Sequence, residues 1–333
     1  MKTRPVKEVK ARIQQHRRVG VDYFRLRLLC PEIARLAQPG QFVMLRVNEQ
    51  REPFLRRPFS FSRIFPCGDK RTKLEEKGTL EICYQVVGRG TSLMTQLREG
   101  QRVDILGPLG NGFWLEEGWK RVVLIGGGIG IAPLIAWAEK LRARPSKRRK
   151  LIKNPAETPE VLVLIGGKSR EKILGIKEFR KMELEPQVST EDGSLGMKGL
   201  ATDLLERELL TRGQPSVTIY ACGPMPMLAK IAQIAEQFDL PCQVLLESRM
   251  ACGVGACLGC AVKVRDEDSM KISKDKEVTT VQENIFSGSE GPEAEMTFPE
   301  ESLMPVISEV PPFRYARACK EGPVFEARKI IWE

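Results

Sequence analysis

Three rhythms of apolar and polar positions follow one another along the chain. Up to about residue 116, Val, Ile, Tyr and Phe recur in short runs between Gly and Pro. "VDYFRLRLL" at 21–29, "GQFVMLRV" at 40–47, "TLEICYQVV" at 79–87 and "QRVDIL" at 101–106 are such runs. Short strands with frequent turns predict an antiparallel barrel or sandwich. The polar run 62–78 reads as a long exposed connection. From about 117 to 247 the rhythm alternates strand and helix. "RVVLIGG" (121–127), "EVLVLIGG" (160–167) and "SVTIYACG" (216–223) are near-continuous apolar runs, suited to a parallel sheet covered on both faces. "LATDLLERELL" (200–210) and "PMLAKIAQIAEQF" (226–238) carry apolar residues at helical spacing. The centre is therefore doubly wound α/β. Residues 248–333 form a small third unit with a long insertion at about 266–313. The middle of that insertion, "SGSEGPEAEMTFPEE", is rich in Gly, Ser, Glu and Pro and reads as a loop.

Composition narrows the classes. At 333 residues, 42% hydrophobic and 29% charged, the chain suits a multidomain soluble protein. The uncharged run 122–138 falls short of the ~20 residues a membrane span needs, and its glycines and Pro133 weaken a helix. The opening "MKTRPVKEVKARI" has no apolar stretch of the kind a secretory signal carries, so a cytoplasmic protein is expected. Net charge is +10, but seven of the basic residues crowd into "RARPSKRRKLIK" at 142–153, with no aromatic residue to stack a base. This is read as a solvated loop, with an anionic partner surface as the alternative and no nucleic acid expected. The lone histidine, His16, sits in a polar stretch and is expected at the surface. Nine cysteines without a signal argue for metal or redox use.

The chemistry is densest at "SRMACGVGACLGCAVKV", 248–264, where Cys252, Cys257 and Cys260 stand as C-x4-C-x2-C. With a distant fourth thiol this is the plant-type [2Fe–2S] spacing, and Cys319 in "ARACKEGPVF" is the natural fourth ligand. A four-cysteine zinc site is the rival, but such sites pair their ligands as two short knuckles, and only one is present. "GGGIGIAPLI" at 126–135 follows a strand and opens a helix, where backbone N–H groups meet phosphates, yet it departs from G-x-G-x-x-G. By itself it is equally consistent with tight packing. "RRPFSFS" (56–62) offers Arg57 and Ser60; "VVGRGTSLMTQL" (86–97) offers a Gly90–Thr91 turn. "YACGPMPML" (220–228) ends the last parallel strand with Cys222, which reads equally as a small buried residue.

Taken in order, Arg-Pro-x-Ser, Gly-Thr, "GPLGNGF", "GGGIGIAPL", "ACGPMPM" and C-x4-C-x2-C resemble the ferredoxin–NADP reductase superfamily with a fused [2Fe–2S] domain. The wording "LLESRMACGVGACLGC" and "CKEGPVFEA" is most similar to the electron-transfer subunits of dihydroorotate dehydrogenase B. The insertions near 63–78, 142–158 and 266–313 depart from that pattern. The resemblance implies that Arg57, Pro58, Phe59 and Ser60 contact FAD, with Cys83, Tyr84 and Gln85 beside it and Gly90 and Thr91 at its pyrophosphate. It implies NAD against Gly126, Gly127, Gly128 and Gly130, with Gly223 and Pro224 close by and Cys222 near the hydride path. Cys252, Cys257, Cys260 and Cys319 are implied to hold the cluster. It also implies an FMN-containing catalytic partner in a heterotetramer that feeds electrons from dihydroorotate to NAD⁺ in pyrimidine biosynthesis. This chain has no room for a second flavin barrel, so it is not expected to oxidise dihydroorotate alone. Similar subunits serve sulfide dehydrogenases, hydrogenases and NADH–ferredoxin NADP⁺ reductases, and that alternative stays open. So does the choice between NAD and NADP: Lys168 and Arg170 precede Glu171 after the second parallel strand, and either charge suits one nucleotide.

Overall fold

In the computed structural model the described residues are 5–47, 52–69, 72–115, 120–143, 160–212, 216–266 and 313–332. Six strands close an antiparallel barrel: β1 (Lys7–Arg18), β2 (Tyr23–Leu29), β3 (Phe42–Leu45), β4 (Arg57–Phe65), β5 (Thr79–Gln85) and β6 (Arg102–Leu109), in the order β1-β2-β5-β4-β3-β6. Closure removes exposed edges, and period-two alternation turns Leu26, Leu28, Leu80 and Ile82 inward, all fully buried. β1 goes beyond the sequence expectation, which placed no strand before residue 21. Only Val9, Ala11 and Ile13 alternate there among charged neighbours, and Ala11 and Ile13 are buried. The expected exposed connection 62–78 is also corrected. Ser62 to Phe65 belong to β4, where Ile64 pairs with Leu80 and Phe65 with Thr79, and Ser62 and Phe65 are buried.

The second layer system is a seven-stranded sheet. β7 (Arg121–Gly127), β8 (Glu160–Gly167), β9 (Gln187–Thr190), β10 (Met197–Lys198), β11 (Val217–Cys222) and β12 (Cys242–Leu245) run parallel, in the order β10-β9-β8-β7-β11-β12. Short helices α1 (Pro31–Ala34) and α2 (Arg89–Met94) lie in the barrel's connections; α3 (Ile131–Ala143), α5 (Ala201–Arg212) and α6 (Met225–Gln237) cover the sheet, with α4 (Ile176–Arg180) against α3. Strand order reverses between β7 and β11, and the crevice at their carboxyl ends is where a doubly wound sheet takes its ligand. Ion pairs join this unit to the barrel: Arg25 to Glu178, Arg63 to Glu139 and Lys172 to Asp22, at 2.6, 2.6 and 2.7 Å.

Beyond the cysteine loop, β13 (Ala261–Arg265) and β14 (Phe313–Arg317) form an antiparallel ladder. The expected loop within 266–313 and the basic run beyond Ala143 lie outside the described residues. A last strand, β15 (Val324–Glu326), pairs antiparallel with β12 and completes the sheet of the central unit. One apolar core runs from Phe42, Met44 and Leu109 of the barrel, through Val123 and Ile125 of β7, to Val264, Ala316 and Cys319. Each large apolar side chain so buried contributes roughly 1.5–3 kcal/mol.

Candidate functional site

Where the barrel meets the sheet, a cleft of ≈ 1010 Å³ opens. Its barrel wall is built by β4, with Arg57, Pro58, Phe59 and Ser60, and by β5, with Cys83, Tyr84 and Gln85. Gly90 and Thr91 line it from the short helix α2 (Arg89–Met94). Arg57 lies across Gly90, its Nε 3.0 Å from where a Cβ would stand, so a larger residue there would push the Arg57 side chain aside. The Thr91 hydroxyl accepts from the backbone N–H groups of Val87 and Gly88 at 2.9 and 3.2 Å, which fixes the turn. The sheet wall brings Gly130 and Cys222.

On β5 the barrel wall is apolar enough to hold Cys83 and Tyr84 protonated. Burial pushes the Cys83 thiol up to about 12 and the Tyr84 phenol well above its ordinary value. Tyr84 packs against Phe24 and Phe59. Its hydroxyl meets His16 Nε2 at 2.9 Å, while Nδ1 of the same ring reaches the Leu97 carbonyl at 2.8 Å. A carbonyl only accepts, so Nδ1 carries the hydrogen, and in neutral His16 Nε2 takes the Tyr84 proton. His16 is therefore a half-buried brace for a cleft-lining tyrosine, not the free surface side chain its polar neighbours suggested.

On the sheet side, Cys222 is paired with Gly126 across β11 and β7. A Cβ on Gly130 would collide with the Cys222 carbonyl, and one on Gly127 would meet Met227 Sδ and Pro224. The glycine turn and the Cys222–Gly223–Pro224 turn are thus packed backbone to backbone. Gly126, Gly127, Gly128, Gly223 and Pro224 do not line the cleft; they form the crevice next to it. Cys222 is buried and its thiol is held well above its ordinary value, by burial first and then by the Glu247 carboxyl. It is a neutral thiol at any working pH. At the far end of the crevice, Arg170 donates from Nε and Nη2 to the Ser194 carbonyl at 3.2 and 3.1 Å, and Asp192 accepts from the Ser194 amide and hydroxyl.

The four predicted cluster cysteines come together as two pairs. Cys252 meets Cys257, and the Cys319 amide donates to Cys260 Sγ at 3.4 Å across the 267–312 stretch. The pairs face one another closely enough for Cys252 to act on Cys319. Burial would raise Cys252, but amides of Cys257, Val254 and Ala256 aimed at its sulfur hold it down to about 6. Burial, then the Cys260 thiol, pushes Cys319 up to about 12. Among the described residues no three His, Cys, Asp or Glu side chains gather around one point as a single ion requires. Two thiol pairs, with amides directed at sulfur, suit a binuclear cluster that takes two cysteines on each iron. Gly253, at φ +73°, packs against Met44 and Leu109, and Arg317 donates to the Gly255 carbonyl at 2.9 Å, so the barrel and β14 both hold the loop.

Sequence reasoning missed the segment that joins the two places. Leu245, Leu246, Glu247, Ser248, Arg249 and Met250 line the cleft, and the chain reaches Cys252 two residues later. Pro323, four residues after Cys319, lines it as well and accepts the Leu246 amide at 2.9 Å. No residue type in "LLESRM" carries a spacing signal; only the fold shows what it touches.

Residues 247–275 match the iron-sulfur cluster binding domain of dihydroorotate dehydrogenase B, and residues 124–233 match an oxidoreductase NAD-binding domain. The chain is similar to the dihydroorotate dehydrogenase B (NAD(+)) electron transfer subunit of Desulforamulus reducens, 32% identical over 95% of both chains. The same subunit of Caldanaerobacter subterraneus subsp. tengcongensis is 36% identical over 325 residues, 98% of this chain and 99% of that one. Its length, insertions included, thus has a counterpart among relatives. Among solved structures, an NADH-dependent reduced ferredoxin-NADP oxidoreductase superposes with a TM-score of 0.67 at 25% identity, covering 97% of this chain and 90% of that one. A ferredoxin NADP⁺ reductase from Neisseria gonorrhoeae, solved with FAD and NADP, shares the fold at a TM-score of 0.54 and 18% identity over 70% of this chain and 91% of its own.

Proposed function

The chain belongs to the family of dihydroorotate dehydrogenase B electron transfer subunits, and we propose that it relays electrons from an FMN-containing catalytic partner to NAD⁺. The observation that carries this reading is the continuous segment 245–260, which runs from the wall of the cleft directly into three of the four thiols. A [2Fe–2S] cluster carries one electron at a time, nicotinamide takes two as hydride, and a flavin exchanges between the two regimes. Cys252, Cys257, Cys260 and Cys319 are the residues for the cluster. Arg57 and the turn at Gly90 and Thr91 hold an anionic flavin tail, with Arg57 as the charged donor. Phe59 and Tyr84 give the ring system an apolar wall, braced by His16. The packed turns at 126–130 and 222–224 leave backbone rather than side chain at the nicotinamide crevice, and neutral Cys222 shields it from water.

NAD fits better than NADP. Arg170 directs its guanidinium at the Ser194 carbonyl, and the adjacent turn presents Glu191, whose carboxylate suits ribose hydroxyls and repels a 2′-phosphate. We place the protein in the cytoplasm, in a heterotetramer serving pyrimidine biosynthesis; among the described residues no helix is long and apolar enough to cross a membrane. The similarity to the NADH-dependent ferredoxin-NADP oxidoreductase, which covers 97% of the chain, keeps a subunit of another redox complex as the second reading. One experiment separates them. Purified alone, the chain reduces dyes with NADH and leaves dihydroorotate untouched; reconstituted with the catalytic subunit, it supports dihydroorotate-dependent NAD⁺ reduction. Dihydroorotate oxidation by the single chain, or none by the complex, overturns the proposal.

A further inference from the structure

We propose that the barrel contributes a residue of its own to the nicotinamide crevice: the Tyr23 hydroxyl, reaching out from β2, donates a hydrogen bond to the pyrophosphate of the dinucleotide at the glycine turn 126–130. This rests on the reading of that turn as the nucleotide site given above. Tyr23 is only 2% exposed. Among the described residues its hydroxyl nevertheless has no hydrogen-bond partner. Nor is the oxygen sealed inside protein, where an unpaired hydroxyl is costly. A phenol packed on all other sides, with its polar end free and accessible, is poised for a partner that arrives with a ligand.

The hydroxyl stands over the turn. Chain neighbours aside, it is the one heavy atom of the described residues within 4 Å of where a Cβ on Gly128 would be, at 4.0 Å, and the rest of that space is open. Gly128, at φ +55°, leads through Gly130 into α3, whose first amides have no acceptor within the helix. An anion in that space meets both these amides and the phenol. Tyr23 does not line the flavin cleft, although Gln85, its partner across β2 and β5, does. The two strands thus divide the barrel surface between flavin and nucleotide. The ring is held in place from two sides. A Cβ on Gly20 would lie 2.9 Å from Tyr23 Cδ2, and Lys172 Nζ stands 5.8 Å from the ring centroid while donating to Asp22 at 2.7 Å. That ion pair also matches the carboxylate next to Tyr23 with a cation, which removes a repulsion toward phosphate. Burial, against the pull of Lys172, raises the phenol above its ordinary value. It is therefore a protonated donor at working pH, and phosphate oxygens are acceptors.

The test separates nucleotide affinity from a structural role. Tyr23→Phe keeps the ring and removes only the hydroxyl. By calorimetry on the oxidised holoprotein, NAD⁺ and ADP-ribose, which share the pyrophosphate, are each expected to bind about tenfold more weakly, the scale of one hydrogen bond to a charged group. In stopped flow, the NADH concentration for half-maximal flavin bleaching rises by the same factor while the limiting rate holds. A phosphate-free hydride donor, N-benzyl-dihydronicotinamide, bleaches wild type and variant at equal rates. Without nucleotide the melting midpoint is unchanged, because the hydroxyl bonds to nothing in the protein. Unaltered affinity for NAD⁺ or ADP-ribose, an equal loss with the phosphate-free donor, or a lowered midpoint overturns the assignment. Failure of the wild type to bind NAD⁺ and of NADH to bleach its flavin overturns the nucleotide reading itself, a distinguishable result.

Discussion

At the scale of single residues, the thiols were the most legible feature of the chain and His16 the least. C-x4-C-x2-C is a covalent spacing, and it survives whatever the fold does around it. Cys319 could be paired with it because it is the one thiol beyond Cys260. Removing that thiol gives a sharp outcome. Cys319→Ala strips one iron of a ligand and leaves Cys260 without its thiol neighbour, while the backbone amide of residue 319 still donates to the Cys260 sulfur. The expected result is loss of iron, acid-labile sulfide and the cluster's visible absorption, with flavin retained. Full cluster content in the variant would remove Cys319 from the ligand set. His16 shows the opposite case. Its sequence neighbours are polar, but strand β1 turns it toward Tyr84, 68 positions away along the chain, and no local pattern carries that distance. Glu247 was equally silent for the same reason.

Elements were readable where their apolar runs were long and obscure where they were short. β7, β8 and β11 were found within a residue or two, because buried parallel strands are apolar throughout. β1 and the end of β4 were hidden among charges that the structure spends on ion pairs. Arg63, on that hidden part of β4, reaches Glu139 of α3 at 2.6 Å. Burial raises the Glu139 carboxyl even with Arg63 beside it. The sign follows: an acid with a raised folded pKa is penalised once ionised, and Arg63 relieves the penalty only in that form. Arg63→Ala is therefore expected to lower stability by about 1 kcal/mol at neutral pH, the scale of a partly exposed charged pair. Near pH about 4, where Glu139 is protonated, the loss should vanish. Chemical denaturation at the two pH values checks this, and a larger loss in acid would refute it.

At the scale of the whole molecule, the sequence divides the chain into three units, yet the packing does not respect the divisions. β15, from the last unit, completes the sheet of the second, and one apolar core passes through all three. Shared burial of this kind makes unfolding cooperative. Far-ultraviolet dichroism, flavin fluorescence and cluster absorbance should follow a single melting curve in the holoprotein, and removal of the cluster should lower the midpoint for all three by linkage. Separate melting of the barrel would show that the units are independent. The clamp formed by β12 and β15 has a further consequence. Both ends of the thiol-bearing stretch emerge from neighbouring strands joined by backbone hydrogen bonds, through Leu246 and Pro323. Electron tunnelling decays exponentially with the gap to be crossed, and this ladder ties the thiol-bearing stretch to the cleft wall at both of its ends.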